Sequence, residues 1–263
     1  MRRTRALIPM AAVGVALAAP AVSQAQTVTI SGSTTVYPLA VDVARAYNRR
    51  NGTNFRILQG GSDVGVADVA AGRVSIGLSS RDPRSGDPSG ITFYRVARDA
   101  LCVVTNNAQS GVRNLSRAQV QAIYSQSVTD FSSVPGGRAG TITPYARLAA
   151  GGTDDAFRQL FLNPAQQGNV SFRPSNGTVA QAVRGNPNGV GYVSLPFTRG
   201  LNAVGYQGVA CSLRNAKSNQ YPGTRNLYAV TRGRARGSAA GFIRFWRSRA
   251  AAGIVSRNYV PVR

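Results

Sequence analysis

One alternation constrains this chain more than any other feature. Strand-like runs give way to turns rich in glycine and hydroxyls, and each turn opens into a run with helical spacing. TVTISGS reads as a strand ending in Gly and Ser. Val36, Leu39, Ala40, Val43, Ala44 and Tyr47 follow at steps of three and one, which puts them on one face of a helix, and Asn51-Gly52 closes it. NFRILQ is a second strand, GGSDVG a turn, 64–71 a short helix stopped by Gly72, and VSIGLSS a third strand. A β-α-β-α-β order predicts an α/β layer with a largely parallel sheet. Ligands of such sheets bind outside the carboxyl ends of the strands. The turns at 31–35, 60–65 and 79–81 all lie there.

The pattern continues downstream. ALCVVTN is an apolar strand, 106–111 a polar break, and Leu115, Ala118, Val120 and Ile123 mark a helix after a Ser116 cap. TITPYAR is a strand leading into the turn and helix of LAAGGTDDAFRQLF. PSNGTVAQAV repeats that design, and GVGYVSL is another strand. NAVGY and NLYAVT are later strand candidates, before a final helix carrying Phe242, Ile243 and Trp246. The sequence has no repeat of fixed period and no linker, so 263 residues make one large domain or two lobes.

Composition enters as exclusion. All nine acidic residues are Asp, thirty of the thirty-one basic residues are Arg (Lys217 is the exception), and Glu and His are absent. Without His there is no Ser-His-Asp or Cys-His relay and no His-ligated zinc or haem. Without Glu there is no Glu-based glycosidase pair and no HExxH metalloprotease. A binding protein is favoured over an enzyme, and no metal or cofactor is expected. Hydrophobic residues at 43% suffice for a core, and charged residues at 15% are too few for a disordered polyelectrolyte. A formal charge of +22 points to an anionic partner or medium, with Arg-rich coding as the bland alternative.

The first 25 residues read as a secretory signal peptide: a basic MRRTR, an apolar stretch, then small residues at Ser23 and Ala25. Pro9 and Pro20 interrupt the stretch and argue against an anchor, and no lipoprotein cysteine follows it. Cleavage after Ala25 would leave 238 residues and lower the charge to +19. No later run reaches the roughly eighteen apolar residues of a membrane span. The expectation is a soluble periplasmic or secreted protein. Export allows Cys102 and Cys211 to form one long-range disulfide or to remain two buried thiols.

Three loops set small and hydroxyl residues at a helix start: Ser33-Thr34-Thr35, Gly61-Ser62 and Gly151-Gly152-Thr153, the last with Arg147 four residues before it. Free N–H groups and the helix dipole attract anions there. Singly, each loop is equally a helix cap; together they point to anion binding. Neither GxxxxGK[ST] nor GxGxxG occurs, so these are not nucleotide loops. TRGRARG, ending at Gly237, lacks interleaved aromatics and reads as solvated charge rather than a specific nucleic-acid patch.

SGSTTVYPLA, LQGGSDVG, IGLSSRDP, RLAAGGTDDAF, SNGTVAQAVRGNPNGVGYVSL and QYPGTRNLYAVTRG follow the order of similar blocks in the phosphate-binding (PstS-like) proteins of ABC transporters. The chain resembles that family from about Thr29 to its last helix. The resemblance implies a two-lobed periplasmic binding protein fold, type II-like, each lobe a mixed, mostly parallel sheet flanked by helices. Lobe I would be 26–104 plus 200–263 and lobe II 105–199, with hinge crossings near Thr105 and Arg199 that leave Cys102 and Cys211 in one lobe. It also implies a monomer that captures inorganic phosphate, or a similar oxyanion, and delivers it to a membrane ABC permease.

The site residues it implies are Ser33, Thr34 and Thr35, with Tyr37 at an aromatic position; Ser62; Ser80 and Arg81; and Arg147, Gly151, Gly152 and Thr153. Arg147 would fork two anion oxygens. Two positions depart from the family. Gly151 stands where Ser is usual, and Ser80 where better-studied members carry an Asp that accepts the ligand's proton. Asp63 and Asp82 are candidate substitutes. The alternative from another class is a secreted polycation that binds polyanionic surfaces or nucleic acid.

Overall fold

The computed structural model describes residues 27–149 and 151–262, and the 1–25 leader expected from sequence lies outside them. The first alternation appears as β1 (Val28–Gly32), α1 (Tyr37–Asn51), β2 (Phe55–Gln59), α2 (Ser62–Ala70) and β3 (Ile76–Ser79). Leu39, Ala40, Val43 and Ala44 are buried on one face of α1, and Gly52 ends it in the left-handed region (φ 61°), as a C-terminal glycine can without a Cβ penalty. Next come β4 (Ile91–Thr105), β5 (Asn114–Leu115), α3 (Arg117–Ser125), β6 (Thr143–Arg147) and α4 (Gly152–Phe157). β7 (Ser171–Arg173), α5 (Asn176–Arg184), β8 (Gly189–Ser194), β9 (Asn202–Ala203), β10 (Gly205–Tyr206) and α6 (Leu213–Lys217) follow. β11 (Thr224–Arg232), α7 (Gly237–Trp246), α8 (Arg249–Val255) and β12 (Val260–Pro261) end the chain. Ser116 and Ser175 begin α3 and α5 with reciprocal capping boxes.

The main sheet runs β2-β1-β3-β11-β4-β8-β6-β7. It is parallel at its two ends, where β1 pairs β2 and β3 and where β6 pairs β7 and β8. Helices α1, α2, α4 and α5 supply the crossovers that parallel neighbours need. In the middle, β11 and β4 run antiparallel to their neighbours. β4 is longer than the apolar ALCVVTN run that announced it. Ile91–Ala100 pairs with β11, and Leu101–Thr105 with β8.

Two large apolar cores lie along this sheet. One gathers α1, β1, β3, α7 and α8, with Val96, Ala97 and Leu227. The other holds Ala100 through Val104, α3, α5, β6 and β8, and also Val204, Tyr206, Ala216 and Tyr221. Val96, Ala97 and Leu227 thus lie in the first core, and Ala100 through Val104 and Tyr221 in the second. Segment 201–221 stays with the second core because β9 pairs β4 at Val104 and Thr105, and β10 pairs β5. A disulfide between Cys102 and Cys211, with Cα atoms 5.7 Å apart, ties that segment to β4.

Candidate functional site

The expected loops converge where the two cores meet. Gly32 ends β1 at φ 129°, and a Cβ there would lie 2.4 Å from the Leu78 carbonyl oxygen, so a side chain would not fit between β3 and α2. Ser33 Oγ accepts from the N–H groups of Thr35 (3.2 Å) and Val36 (3.4 Å), which fixes the turn. Ser62, opening α2, accepts the Ser80 N–H at 3.0 Å and binds the second and third loops together. From the other side come Arg147, the last residue of β6, and Gly152 and Thr153, the first of α4. A Cβ on Gly152 would meet Ser62 Oγ at 2.5 Å and the Arg81 nitrogen at 2.9 Å, so glycine lets the two sides close.

Hydroxyls meet across this junction. Thr35 Oγ1 is 3.1 Å from Thr153 Oγ1. Asn176 Nδ2 donates to Thr35 Oγ1 (2.9 Å) and Thr34 Oγ1 (3.3 Å), while its Oδ1 accepts the Ser194 N–H at 3.1 Å. Arg225 Nη2 donates to Thr35 Oγ1 at 3.0 Å, and its Nη1 reaches the carbonyls of Ser80 and Gly152 at 3.4 Å each. All these side chains are buried.

Arg147 is the electrostatic centre. It is 2% exposed, and its Nε and Nη1 are buried with no hydrogen-bond partner among the described residues. Its backbone N–H donates to Tyr192 Oη at 2.9 Å, and that hydroxyl donates to Asp154 Oδ1 at 2.8 Å. Asp154 is otherwise held by Arg158 Nε (2.7 Å) and Gln167 Nε2 (3.2 Å). Burial pushes the Arg147 pKa down to about 10, so it keeps its charge at neutral pH. A Cβ on Gly151 would lie 2.9 Å from Arg147 Nη2, which sets the guanidinium against the turn that opens α4. A buried cation without a partner is costly. At the helix start that opens at Gly152, such a cation can seat an anion.

Arg81 differs from the expectation. Carboxylates hold its guanidinium: Nε donates to Asp63 Oδ1 (2.8 Å), Nη2 to Asp87 Oδ1 (2.6 Å) and Nη1 to Asp87 Oδ2 (3.0 Å). Its guanidinium is therefore already neutralised within the fold, unlike that of Arg147. The two candidate proton acceptors are engaged as well. Asp63 takes Arg81 and Arg84, and Asp82 accepts from Asn226 Nδ2 and Tyr228 Oη.

Sequence reasoning missed Arg225, Asp99 and Asn176. Arg225 is fixed by Asp99 Oδ2, at 3.0 Å from Nε and 2.9 Å from Nη2, and Ser194 Oγ donates to Asp99 Oδ1 at 2.7 Å. Burial pushes the Asp99 carboxyl up, against the pull of Arg225 and Ser194. Asn176 and Arg225 lay inside the family-like blocks, so their signal was present. Asp99 carried a weaker one: a carboxylate inside an otherwise apolar strand needs a partner.

Residues 18–250 match the family described as the PBP superfamily domain. The chain is 24% identical over 242 residues to the phosphate-binding protein PstS of Bacillus subtilis, covering 89% of this chain and 80% of that one. It is 27% identical over 219 residues to the phosphate-binding protein PstS of Borreliella burgdorferi, covering 78% of each. A Clostridium perfringens protein, assigned as a phosphate ABC transporter substrate-binding protein and solved with phosphate bound, has a TM-score of 0.85 at 26% identity. That match covers 90% of this chain and 100% of that one. An ABC-type phosphate transport receptor of Vibrio cholerae shares the fold, with a TM-score of 0.72 over 89% of this chain and 100% of that one, at 24% identity. By fold, site layout and these matches, the chain belongs to the PBP superfamily.

Proposed function

We propose that this protein captures inorganic phosphate, or a closely similar oxyanion, between two lobes and delivers it to a membrane ABC permease. The observation that carries the reading is Arg147, a buried guanidinium that lies against Gly151 at the start of α4 and has two nitrogens without a partner among the described residues. An anion supplies the missing countercharge, and the hydroxyls complete its hydrogen bonds. The phosphate-binding relatives, and the similar structure that holds phosphate, support this choice of anion. Binding is favoured over catalysis because the neighbours of Thr35 and Ser62 are hydroxyls, an amide, a guanidinium and backbone, with no general base among them.

The lobe order we adopt is the one the resemblance implies, an N-terminal and a C-terminal segment around a central one. The two cores favour crossings within β4 near Asp99 and at the start of β11. A protein with this role acts outside the cytoplasm, which fits the signal-peptide pattern of residues 1–25 and a disulfide.

The cradle's hydroxyls can donate or accept, and the nearby carboxylates are engaged elsewhere. A thermal-shift panel of oxyanions across pH tests the reading. Phosphate is expected to raise the melting temperature in a saturable way, and Arg147→Ala to abolish the shift. Stabilisation by phosphate and not by sulfate shows that an acceptor still reads the ligand's proton. Equal stabilisation makes this a general oxyanion receptor, and no shift with either anion rejects the proposal.

A further inference from the structure

The acids of this chain are not spread evenly. Asp63, Asp82, Asp87, Asp99, Asp154 and Asp155, six of the nine, sit in the contact network around the cleft. The rest of the surface carries most of the arginines with only Asp42, Asp68 and Asp130 against them. One place concentrates that excess into a concave shape. A cavity of about 400 Å³ is lined by Arg232, Arg234 and Arg236 together with Thr27, Ser75 and Thr231, and no carboxylate lines it.

This is the TRGRARG run, which the cleft does not use. All three arginines are exposed, and none forms an ion pair among the described residues. The loop that presents them is held in place. Gly233 N–H donates to the Gly90 carbonyl (2.6 Å), Thr231 Oγ1 to the Gly233 carbonyl (2.8 Å), and Ala235 N–H to Tyr94 Oη (2.8 Å). Gly233 and Gly237, at φ 61° and 53°, turn the chain so that alternate arginines line one recess.

The position also matters. Val28 and Ser75 place the cavity where β1 and β3 begin, whereas the cleft loops leave the ends of those strands. Five residues of β1 separate the two, about 15 Å at the rise of a strand. An anion held here leaves the cleft loops uncovered.

We propose that this recess is a second anion site, which takes a linear polyanion bearing repeated phosphoryl groups. Three guanidiniums lining one recess present repeated positive charge, and each can fork phosphate oxygens, so a chain of phosphoryl groups can engage several of them at once. A bilayer is disfavoured because membrane-binding cations protrude, and these line a hollow.

The test measures binding of labelled linear polyphosphate to the purified protein by anisotropy, at several salt concentrations and with excess orthophosphate present to fill the cleft. A triple variant, Arg232→Gln, Arg234→Gln and Arg236→Gln, is compared with a control that removes three exposed arginines elsewhere, Arg244→Gln, Arg247→Gln and Arg249→Gln. The recess variant is expected to lose affinity on the order of ten-fold or more at low salt, with the slope of log K against log salt reduced by about two. The control is expected to lose only about two-fold, through net charge. Equal losses in both variants, or undiminished binding in the recess variant, overturn the proposal. So does a recess variant that loses binding to anionic phospholipid vesicles while keeping polyphosphate. Orthophosphate calorimetry on the same variants keeps the cleft reading separate. Failure of orthophosphate to bind rejects the cleft proposal and leaves the recess result standing, and matched melting temperatures show that the variants fold.

Discussion

Arg147 and Arg225 are both buried in one cleft, at 2% and 7% exposure, and are treated in opposite ways. Arg225 lies in register opposite Asp99, on the two strands that pass from one core to the other, and that carboxylate neutralises it. Nη2 also reaches Thr35, and Nη1 reaches Ser80 and Gly152, so its role is geometric: it pins residues from both cores at their meeting point. Among the described residues, Arg147 has no carboxylate on its guanidinium, and two of its nitrogens have no partner. The first charge is paired within the fold, and the second has no countercharge on its guanidinium among the described residues. Burial alone does not separate structural from binding cations; the identity of the counterion does.

The largest effect should come from breaking the satisfied pair. Asp99→Asn leaves Arg225 buried without its countercharge, which costs about 3–5 kcal/mol, read from urea unfolding of the ligand-free protein. A loss below about 1 kcal/mol, the range of exposed pairs, would mean that water already screens Arg225.

Arg147→Met should behave in the opposite sense. Ligand affinity should fall by about 2–5 kcal/mol, as when one member of a buried charge pair is removed. The ligand-free protein should be as stable as the parent, or more so, because an uncompensated charge leaves the interior. Calorimetry and urea unfolding on the same variant give the two numbers. If Arg147→Met destabilises the empty protein as much as Asp99→Asn does, the contrast between the two arginines is lost.

The same contrast explains what the sequence could and could not disclose. The strand–turn–helix alternation was legible because periodicity and caps are local. The face of α1, the Gly52 cap, the Ser116 and Ser175 caps and the hydroxyl loops all follow from neighbours within a few residues. Arg147 was legible because it ends a strand just before a glycine turn. The extent of β4 was hidden, since Arg95, Arg98 and Asp99 interrupt an apolar run that pairing with β11 nonetheless extends. In segment 201–221 the strand candidate NAVGY is split into the two-residue strands β9 and β10, and the rest is tied down by a disulfide. The partners of Arg81 are 6 and 18 residues away, and those of Arg225 lie across 126. Sequence showed that these arginines were present, but only the fold shows which of them are already paired.

Arg81 belongs to a third arrangement, and it yields the smallest predicted effect. Its carboxylate partners extend outward through Arg84, which donates to Asp63 at 2.9 Å and to Asp155 of α4 at 3.3 Å. Asp155 comes from the side of the cleft that carries Arg147, so this ion pair joins the two sides of the cleft. Its members are 46% and 31% exposed, which limits it to under about 1 kcal/mol and subjects it to salt. A contact made only when the two sides meet should act mainly on release. Asp155→Asn is therefore expected to raise the phosphate off-rate about two- to five-fold at low ionic strength, with little change in the on-rate. In molar salt the difference from the parent should vanish, whereas the Arg147→Met defect, set by a buried charge, should persist. Stopped-flow release at two salt concentrations measures both. An Asp155→Asn effect that survives molar salt would show that this carboxylate acts from inside the site rather than at its rim.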